Sequence, residues 1–193
     1  MTAASCQFRF EREGHRYFMD GEEIPHITSM LEAAGWVETT FMTDEGRRRG
    51  SAVHDLCAHF DLEGLHVESC TSPYRGYLLG HVKAMSILRP EILSVEEPLV
   101  SVHRPRFGGR PDRVWRLTGA ISVPEIKSGP HDKSHGIQTA LQAILVGPTV
   151  HLPPEAIDRY GLYLQRNGAF KLTPFRERRD FDEARRILRE YCR

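Results

Sequence analysis

The chain has 193 residues, of which 40% are hydrophobic, and its 26 basic and 26 acidic side chains give a formal net charge of zero. This length suits one domain with a real core, and the charge balance argues against a uniformly basic nucleic-acid coat and an acidic disordered tail. No run approaches the roughly 20 apolar residues that cross a bilayer, and the N-terminus lacks an apolar signal segment, so we expect a cytoplasmic protein without a membrane span.

The charge is unevenly distributed along the chain. Residues 1–100 hold 9 basic and 16 acidic side chains, a balance of −7, whereas residues 101–193 hold 17 and 10, a balance of +7. Among the basic residues, 22 are Arg and 4 are Lys. Arginine suits the recognition of phosphates and carboxylates, and the alternative is a coding bias that only places charge on solvated faces.

The first half of the chain predicts a hairpin followed by three helices. Alternating apolar residues on both sides of Glu13-Gly14 are typical of a β-hairpin. Thr43 or Asp44 is a good N-cap for the second helix. The helices are expected over residues 27–35, 44–64 and 73–88.

The second half predicts an antiparallel meander, a helix, a hairpin and a closing helix. An extended strand over 92–103, a turn at Gly108-Gly109 and two strands around the turn Thr118-Gly119 make the meander. The remaining elements are a helix from Ser134 or His135 to Val146, a hairpin around Asn167-Gly168, and a helix over 181–192 capped by Asp180. We therefore expect one α/β domain over residues 1–193, with a central mixed sheet flanked by helices.

Charged residues converge at the end of the predicted β-hairpin over 112–127. The turn places Asp112 roughly opposite Glu125, and Glu125 shares a strand face with Lys127. Two carboxylates this close need a proton or a cation between them, and their oxygens suit Mg²⁺ or Mn²⁺. The alternative interpretation is a surface cross-strand salt bridge of Glu125 with Lys127 or with an arginine.

Four short motifs, in this order, resemble those of the PD-(D/E)XK nuclease superfamily, in its RecB-like and lambda-type exonuclease branch. They are GxxxH at Gly50 and His54, GxxD at Gly109 and Asp112, (D/E)xK at Glu125 and Lys127, and a helix motif that begins at Gln138. The resemblance covers residues 15–145, and Gln142 stands where the helix motif of the family usually has Tyr.

The resemblance implies a restriction-endonuclease-like core and a role for each matched residue. The implied ligands of Mg²⁺ or Mn²⁺ are Asp112, Glu125, the carbonyl of Ile126, His54 and Glu97. Glu96 competes with Glu97 for the last of these positions. Lys127 would position the attacking water, and Gln138 would contact the DNA backbone or the lysine region.

DNA contacts are expected from arginines near the proposed site. The residues concerned are Arg47, Arg48, Arg49 and Arg110 together with Gln142, and Arg104, Arg106 and Arg113 flank the meander. Trp36, Phe41 or Tyr74 could stack on unpaired bases or, alternatively, belong to the core. Because no recognition helix is apparent, we expect little sequence specificity.

The function expected from the resemblance is that of a metal-dependent deoxyribonuclease, an exonuclease of phage or prophage type in recombination or repair. We expect the protein in the cytoplasm of a bacterium or of a phage-infected host. Its expected partners are DNA and a single-strand annealing protein or a second copy of the chain. The alternatives are a catalytically silent nuclease-fold module that binds DNA or protein, and a structure-specific endonuclease. No iron–sulfur cluster is expected, because relatives that hold one carry three cysteines after the glutamine helix. Here Cys192 alone follows it, and Cys6, Cys57 and Cys70 precede it. We expect these thiols to be free and reduced.

Overall fold

The first strands form a small antiparallel sheet of their own. The computed structural model describes residues 7–37 and 43–192, so Cys6 and Phe41 lie outside the described residues. In it, β1 (Phe8–Glu11), β2 (Arg16–Met19) and β3 (Glu22–Ile24) pair in sequence order. The predicted hairpin is confirmed and gains a third strand. Tyr17 and Met19 of β2 are fully buried beneath it.

Five α-helices occur in the described residues. They are α1 (Ile27–Ala33), α2 (Asp44–Glu63), α3 (Arg75–Leu88), α4 (Ser134–Val150) and α5 (Arg178–Tyr191). Thr43 caps α2 by accepting a hydrogen bond from the Gly46 N–H at 3.0 Å, and Gly64 ends this helix in the left-handed conformation. Helix α3 begins two residues later than predicted, and α4 continues beyond Val146. Among the described residues, no helix combines the length and apolar character that crossing a bilayer requires.

Seven further strands build a mixed sheet and a short ribbon. They are β4 (Glu91–Val95), β5 (Leu99–Val100), β6 (Gly108–Gly109), β7 (Arg113–Leu117), β8 (Ala120–Lys127), β9 (Asp158–Leu164) and β10 (Phe170–Pro174). The main sheet has the order β10-β9-β8-β7-β4, and β5 pairs with β6 alone. Strands β4, β7 and β8 form the predicted antiparallel meander, whereas β8 and β9 run parallel with α4 between them. The α/β class and the mixed sheet are confirmed.

The prediction of one long strand over 92–103 is wrong, because the extended backbone is interrupted in the middle of this segment. Glu96 has a left-handed backbone, with φ of 47°, and its N–H donates to the Asp112 carbonyl at 3.0 Å. Beyond this point the chain leaves the main sheet and pairs as β5 with β6. The break therefore turns one predicted strand into two that belong to different sheets.

The turn predicted at Gly108-Gly109 is also wrong, because both glycines lie in β6. A Cβ on Gly108 would lie 2.4 Å from the ring of Tyr17, and one on Gly109 would lie 2.5 Å from the side chain of Ile27. Glycine is needed here because the backbone passes against packed side chains. This close approach fixes the chain just before Asp112.

Helices cover both faces of the main sheet and leave the end of the β7–β8 hairpin between them. Helices α1, α4 and α5 share one apolar cluster, which includes Val114 and Val123 of the sheet. Residues of α2 and α3 share the opposite cluster with Trp115 and Ile126. Adjacent residues such as Val114 and Trp115 enter different clusters because side chains alternate along a strand.

The cap predicted for the last helix is wrong. Helix α5 has Glu177 at its N-cap position, so Asp180 lies within its first turn. Asp180 is buried there and its Oδ2 pairs with Nη1 of Arg159 at 3.1 Å, while the same nitrogen donates to the Gly136 carbonyl. A buried arginine outcompetes the helix N-terminus for this carboxylate.

Candidate functional site

The hairpin of β7 and β8 brings two carboxylates together at its open end. Its register pairs Trp115 with Ser122, and the same register continued to the end places Asp112 beside Glu125. Asp112 Oδ2 accepts a hydrogen bond from the Ile126 N–H at 2.7 Å. The contact with Ile126 that the structure provides is therefore this N–H, and a role for its carbonyl stays a prediction.

Three side chains from separate elements form a group that could hold a metal ion. His54 of α2, Glu96 after β4 and Asp112 before β7 each offer one ligand atom, and these atoms lie within 4.8 Å of one another. His54 Nδ1 is 3.2 Å from Asp112 Oδ1, and Glu96 Oε2 is 2.9 Å from Arg110 Nη2. Glu96 Oε1 is buried without a partner. An orphaned carboxylate oxygen beside an imidazole and a second carboxylate fits Mg²⁺ or Mn²⁺.

The structure brings Glu96, rather than Glu97, into this group. Glu97 is exposed and is not part of the group, although it is the next residue in the chain. Glu96 has a left-handed backbone, and its carboxylate lies with His54 and Asp112. From the sequence, Glu96 and Glu97 were both candidates for one ligand position. The interruption of the strand at Glu96 distinguishes them, because only Glu96 lies in the group.

Glu125 lies outside the three-residue group and accepts hydrogen bonds from three side-chain nitrogens. Its Oε1 accepts from Lys127 Nζ at 2.9 Å and from Gln138 Nε2 at 2.6 Å, and its Oε2 accepts from Gln142 Nε2 at 2.6 Å. Gln138 Oε1 also accepts from Lys127 Nζ at 3.1 Å. The buried Gln142 therefore supports Glu125 from below, and Glu125 with Gln138 fixes the position of the lysine.

The charges at this end of the hairpin stabilise one another. Burial alone would lower the pKa of His54, but the adjacent Asp112 carboxylate outweighs it and raises this pKa to about 9. Burial opposes the ionisation of Asp112, yet His54 and Lys127 hold its pKa below the usual value. Burial and the Asp112 charge raise the pKa of Glu125. His54 thus keeps a proton near neutral pH, and ligation of a metal would release that proton.

A fully buried ionic network fastens α2 to β7 next to the three-residue group. Asp61 accepts from His81 Nε2 at 2.9 Å and from Arg113 Nε at 2.7 Å, and none of the three side chains is more than 1% exposed. Arg113 also donates to the Asp112 carbonyl. Asp61 follows His54 by seven residues, so both lie on one face of α2. Sequence reasoning missed this network, and the expectation that Arg113 contacts phosphates is wrong because the side chain is inaccessible.

The remaining arginines differ in their access to the site. Arg49 Nε is 3.4 Å from Ser128 Oγ, directly after Lys127. Arg47 and Arg48 are exposed and pair with acidic residues of their own helix. Arg49 is therefore the arginine of this run that the structure places against the end of β8.

Residues that flank the strands of the small N-terminal sheet line a cavity that the sequence patterns did not predict. His15 and His26 line a small polar cavity together with Arg110, Gln138 and Gln142. Burial, with the charge of Arg110, lowers the pKa of His15 to about 4, so a neutral imidazole lines this cavity. No local spacing signals this arrangement, because the histidines and Arg110 are far apart in the chain.

A scan against models of protein families and a search of curated proteins found no match to this chain.

Proposed function

We propose that the protein is a metal-dependent deoxyribonuclease with a restriction-endonuclease-like core, and that it acts as an exonuclease of phage or prophage type. One observation carries the proposal. The ammonium of Lys127 is held by Glu125 and Gln138 at the same hairpin end where Asp112 joins His54 and Glu96 in a group fit for a divalent cation. Metal-assisted phosphodiester hydrolysis uses a divalent cation and a positioned water, and this end of the hairpin offers groups for each.

Each residue of the proposed active site would have its own role in hydrolysis. Asp112, His54 and Glu96 would hold Mg²⁺ or Mn²⁺, which when bound supplies Lewis-acid stabilisation of charge on the phosphate. Lys127 would orient the attacking water and offset negative charge near the phosphate. Glu125 would position the lysine, and its Oε2 accepts a single hydrogen bond, which leaves a lone pair for a direct role as a ligand.

The surroundings of the hairpin support an anionic polymer as the substrate. Arg49 lies beside Ser128 at the end of β8. Arg110 lies at the edge of the three-residue group, where it forms a salt bridge with Glu96. Arginines at these two positions could contact successive phosphates on either side of the scissile bond. The charge excess in the second half of the chain agrees with such a path.

End-labelled DNA provides the test of this proposal. The full-length protein is incubated with linear duplex, single-stranded and covalently closed circular DNA, each with Mg²⁺, Mn²⁺ or EDTA. We expect metal-dependent cleavage of the linear forms and no cleavage of closed circles. Lys127→Ala and Asp112→Ala should lower the rate by at least about 100-fold, whereas the exposed Lys83→Ala on α3 should leave it unchanged.

The same experiment separates the two alternatives. A structure-specific endonuclease would cut a closed circle that carries the appropriate structure. A catalytically silent binding module would retain DNA without cleaving it under any condition. Cleavage that persists in both variants would show that the hairpin end is not the active site.

A further inference from the structure

A second cavity, of about 640 Å³, opens between the first turns of α4 and α5 and the end of β10. Its volume lies within the range that ligand sites of proteins occupy. The lining residues that matter for its chemistry are Trp36, His131, Lys133, Phe175 and Arg176. This combination of flat rings and cations is absent from the three-residue group described above.

The rings along the cavity are held in place by their neighbours. Trp36 donates from Nε1 to Glu183 Oε1 at 2.7 Å, which fixes the indole. The ring centroid of His131 lies 5.7 Å from that of Tyr163 and 5.9 Å from that of Phe175. Aromatic faces that are fixed before binding are suited to stack on a nucleobase, because little rotamer freedom is lost.

The cavity is electrostatically suited to an anion, although three carboxylates line it. Each of them faces an arginine: Asp180 with Arg159 at 3.1 Å, Glu183 with Arg186 at 2.7 Å, and Glu177 with Arg179 at 3.7 Å. Within the described part of the chain, Lys133 and Arg176 have no carboxylate within 4 Å. Both side chains are exposed, so their charged groups are accessible to a phosphate.

The cavity adjoins the catalytic lysine of the proposed function. His131 and Lys133 lie in the loop that follows Lys127 at the end of β8. Tyr163 is the register partner of Lys127 in β9, and its hydroxyl is 2.9 Å from Nδ1 of His135. Burial and the charge of Lys127 lower the pKa of His135 to about 4, so its imidazole stays neutral. Tyr163 thus contacts His131 of the cavity and pairs with Lys127 in the sheet.

We propose that this cavity holds an unpaired base of a single-stranded DNA segment, with a phosphate of the same strand at Lys133 and Arg176. The inference rests on the proposed function and specifies its substrate, because a base that is stacked and paired within a duplex cannot enter. A strand that places its scissile phosphate near Lys127 would place a neighbouring base between the rings. The protein would then act on single strands or frayed ends.

Tryptophan fluorescence tests the inference without any need for cleavage. The chain has two tryptophans, and Trp115 is fully buried in the sheet, so a bound base should change the emission of Trp36. The full-length protein is titrated with hexathymidylate in EDTA at low salt. We expect saturable quenching, affinity at least about 10-fold weaker for a blunt duplex of equal length, and no quenching in Trp36→Phe.

Matched variants localise the binding site. Phe175→Leu and Lys133→Gln should each weaken hexathymidylate binding about 3- to 10-fold. Lys171→Gln removes the same charge from an exposed position of β10 and should change little. Thymidine monophosphate is titrated as a further comparison, because a free nucleotide has the same base and phosphate as the strand. Affinity for it equal to that for hexathymidylate would show a mononucleotide site and overturn the strand assignment.

The outcomes distinguish this inference from the proposed function. Absent quenching by hexathymidylate, or equal binding of the blunt duplex, overturns the inference even if DNA is cleaved. Quenching that Phe175→Leu and Lys133→Gln weaken supports it even if no cleavage occurs, and the nuclease proposal alone then falls.

Discussion

Replacing Asp61 with alanine tests the buried network that fastens α2 to β7. Asp61 accepts hydrogen bonds from His81 Nε2 at 2.9 Å and from Arg113 Nε at 2.7 Å in a place that water does not reach. Without the carboxylate, the guanidinium of Arg113 would be a buried cation with no counter-ion. Its Nη2 and the Nδ1 of His81 already lack partners in the structure.

The expected cost follows from this burial. Removing one partner of a buried ion pair costs about 3–5 kcal/mol, because the remaining charge is left without compensation. The lost hydrogen bonds are part of the same quantity and are not added to it. We therefore expect Asp61→Ala to lower the free energy of unfolding by about 4 kcal/mol. Asp55→Ala, at an exposed position of the same helix, should lower it by less than about 0.5 kcal/mol.

Urea unfolding followed by circular dichroism measures both variants. Asp61→Asn is included because it keeps the side-chain shape and should cost less than alanine, which gives a folded protein for metal titration. In that variant we expect weaker Mn²⁺ binding, since α2 carries His54 to Asp112 from the same face. A free energy of unfolding for Asp61→Ala that matches Asp55→Ala would refute the reasoning about an uncompensated arginine.

The remaining predictions concern the candidate metal ligands, a packed glycine and a half-buried histidine. Glu96→Gln should weaken Mn²⁺ binding at least about 10-fold in calorimetry, whereas Glu97→Gln should change it less than about 2-fold, and equal effects would exclude Glu96 as a ligand. Gly109→Ala should cost about 1–3 kcal/mol in urea unfolding, because its Cβ would lie 2.5 Å from a core side chain, whereas Gly129→Ala meets nothing within 4 Å and should cost close to zero. His135 has a folded pKa of about 4 against 6.5 when unfolded, so the unfolded chain binds the proton first and stability should fall as the pH drops from about 6.5 to about 4. His135→Gln should flatten that slope by about 1–2 kcal/mol over the interval, and an unchanged slope would contradict the assignment.

The part of the site that depends on local geometry could be predicted from sequence. A two-residue turn at Thr118-Gly119 and the alternation of side chains suffice to set Asp112 opposite Glu125, and both rules act over a few residues. The spacing of Glu125 and Lys127 places them on one strand face for the same reason. The mixed sheet and its flanking helices follow similarly from periodicity and short turns.

Other features depend on packing between distant segments, which local patterns do not encode. Nothing around Asp61, His81 or Arg113 indicates that three helix and strand residues meet in the core. The expected strand over 92–103 was wrong because an extended pattern continues through Glu96 in the sequence, whereas the backbone there hydrogen-bonds to Asp112 and turns away. Tertiary contacts override propensity at such positions.

The backbone at Glu96 also bears on how stability and binding compete in this chain. A left-handed conformation is easy for glycine and tolerable for asparagine, but it costs a residue with a longer side chain about 1 kcal/mol or more. A sequence chosen for folding alone would place glycine at position 96. Glutamate instead pairs one oxygen with Arg110 and keeps the other, buried and without a partner, beside His54 and Asp112. Under the proposed function, position 96 is a place where the backbone geometry and the binding of a cation make different demands, and the residue present is the one that suits a cation.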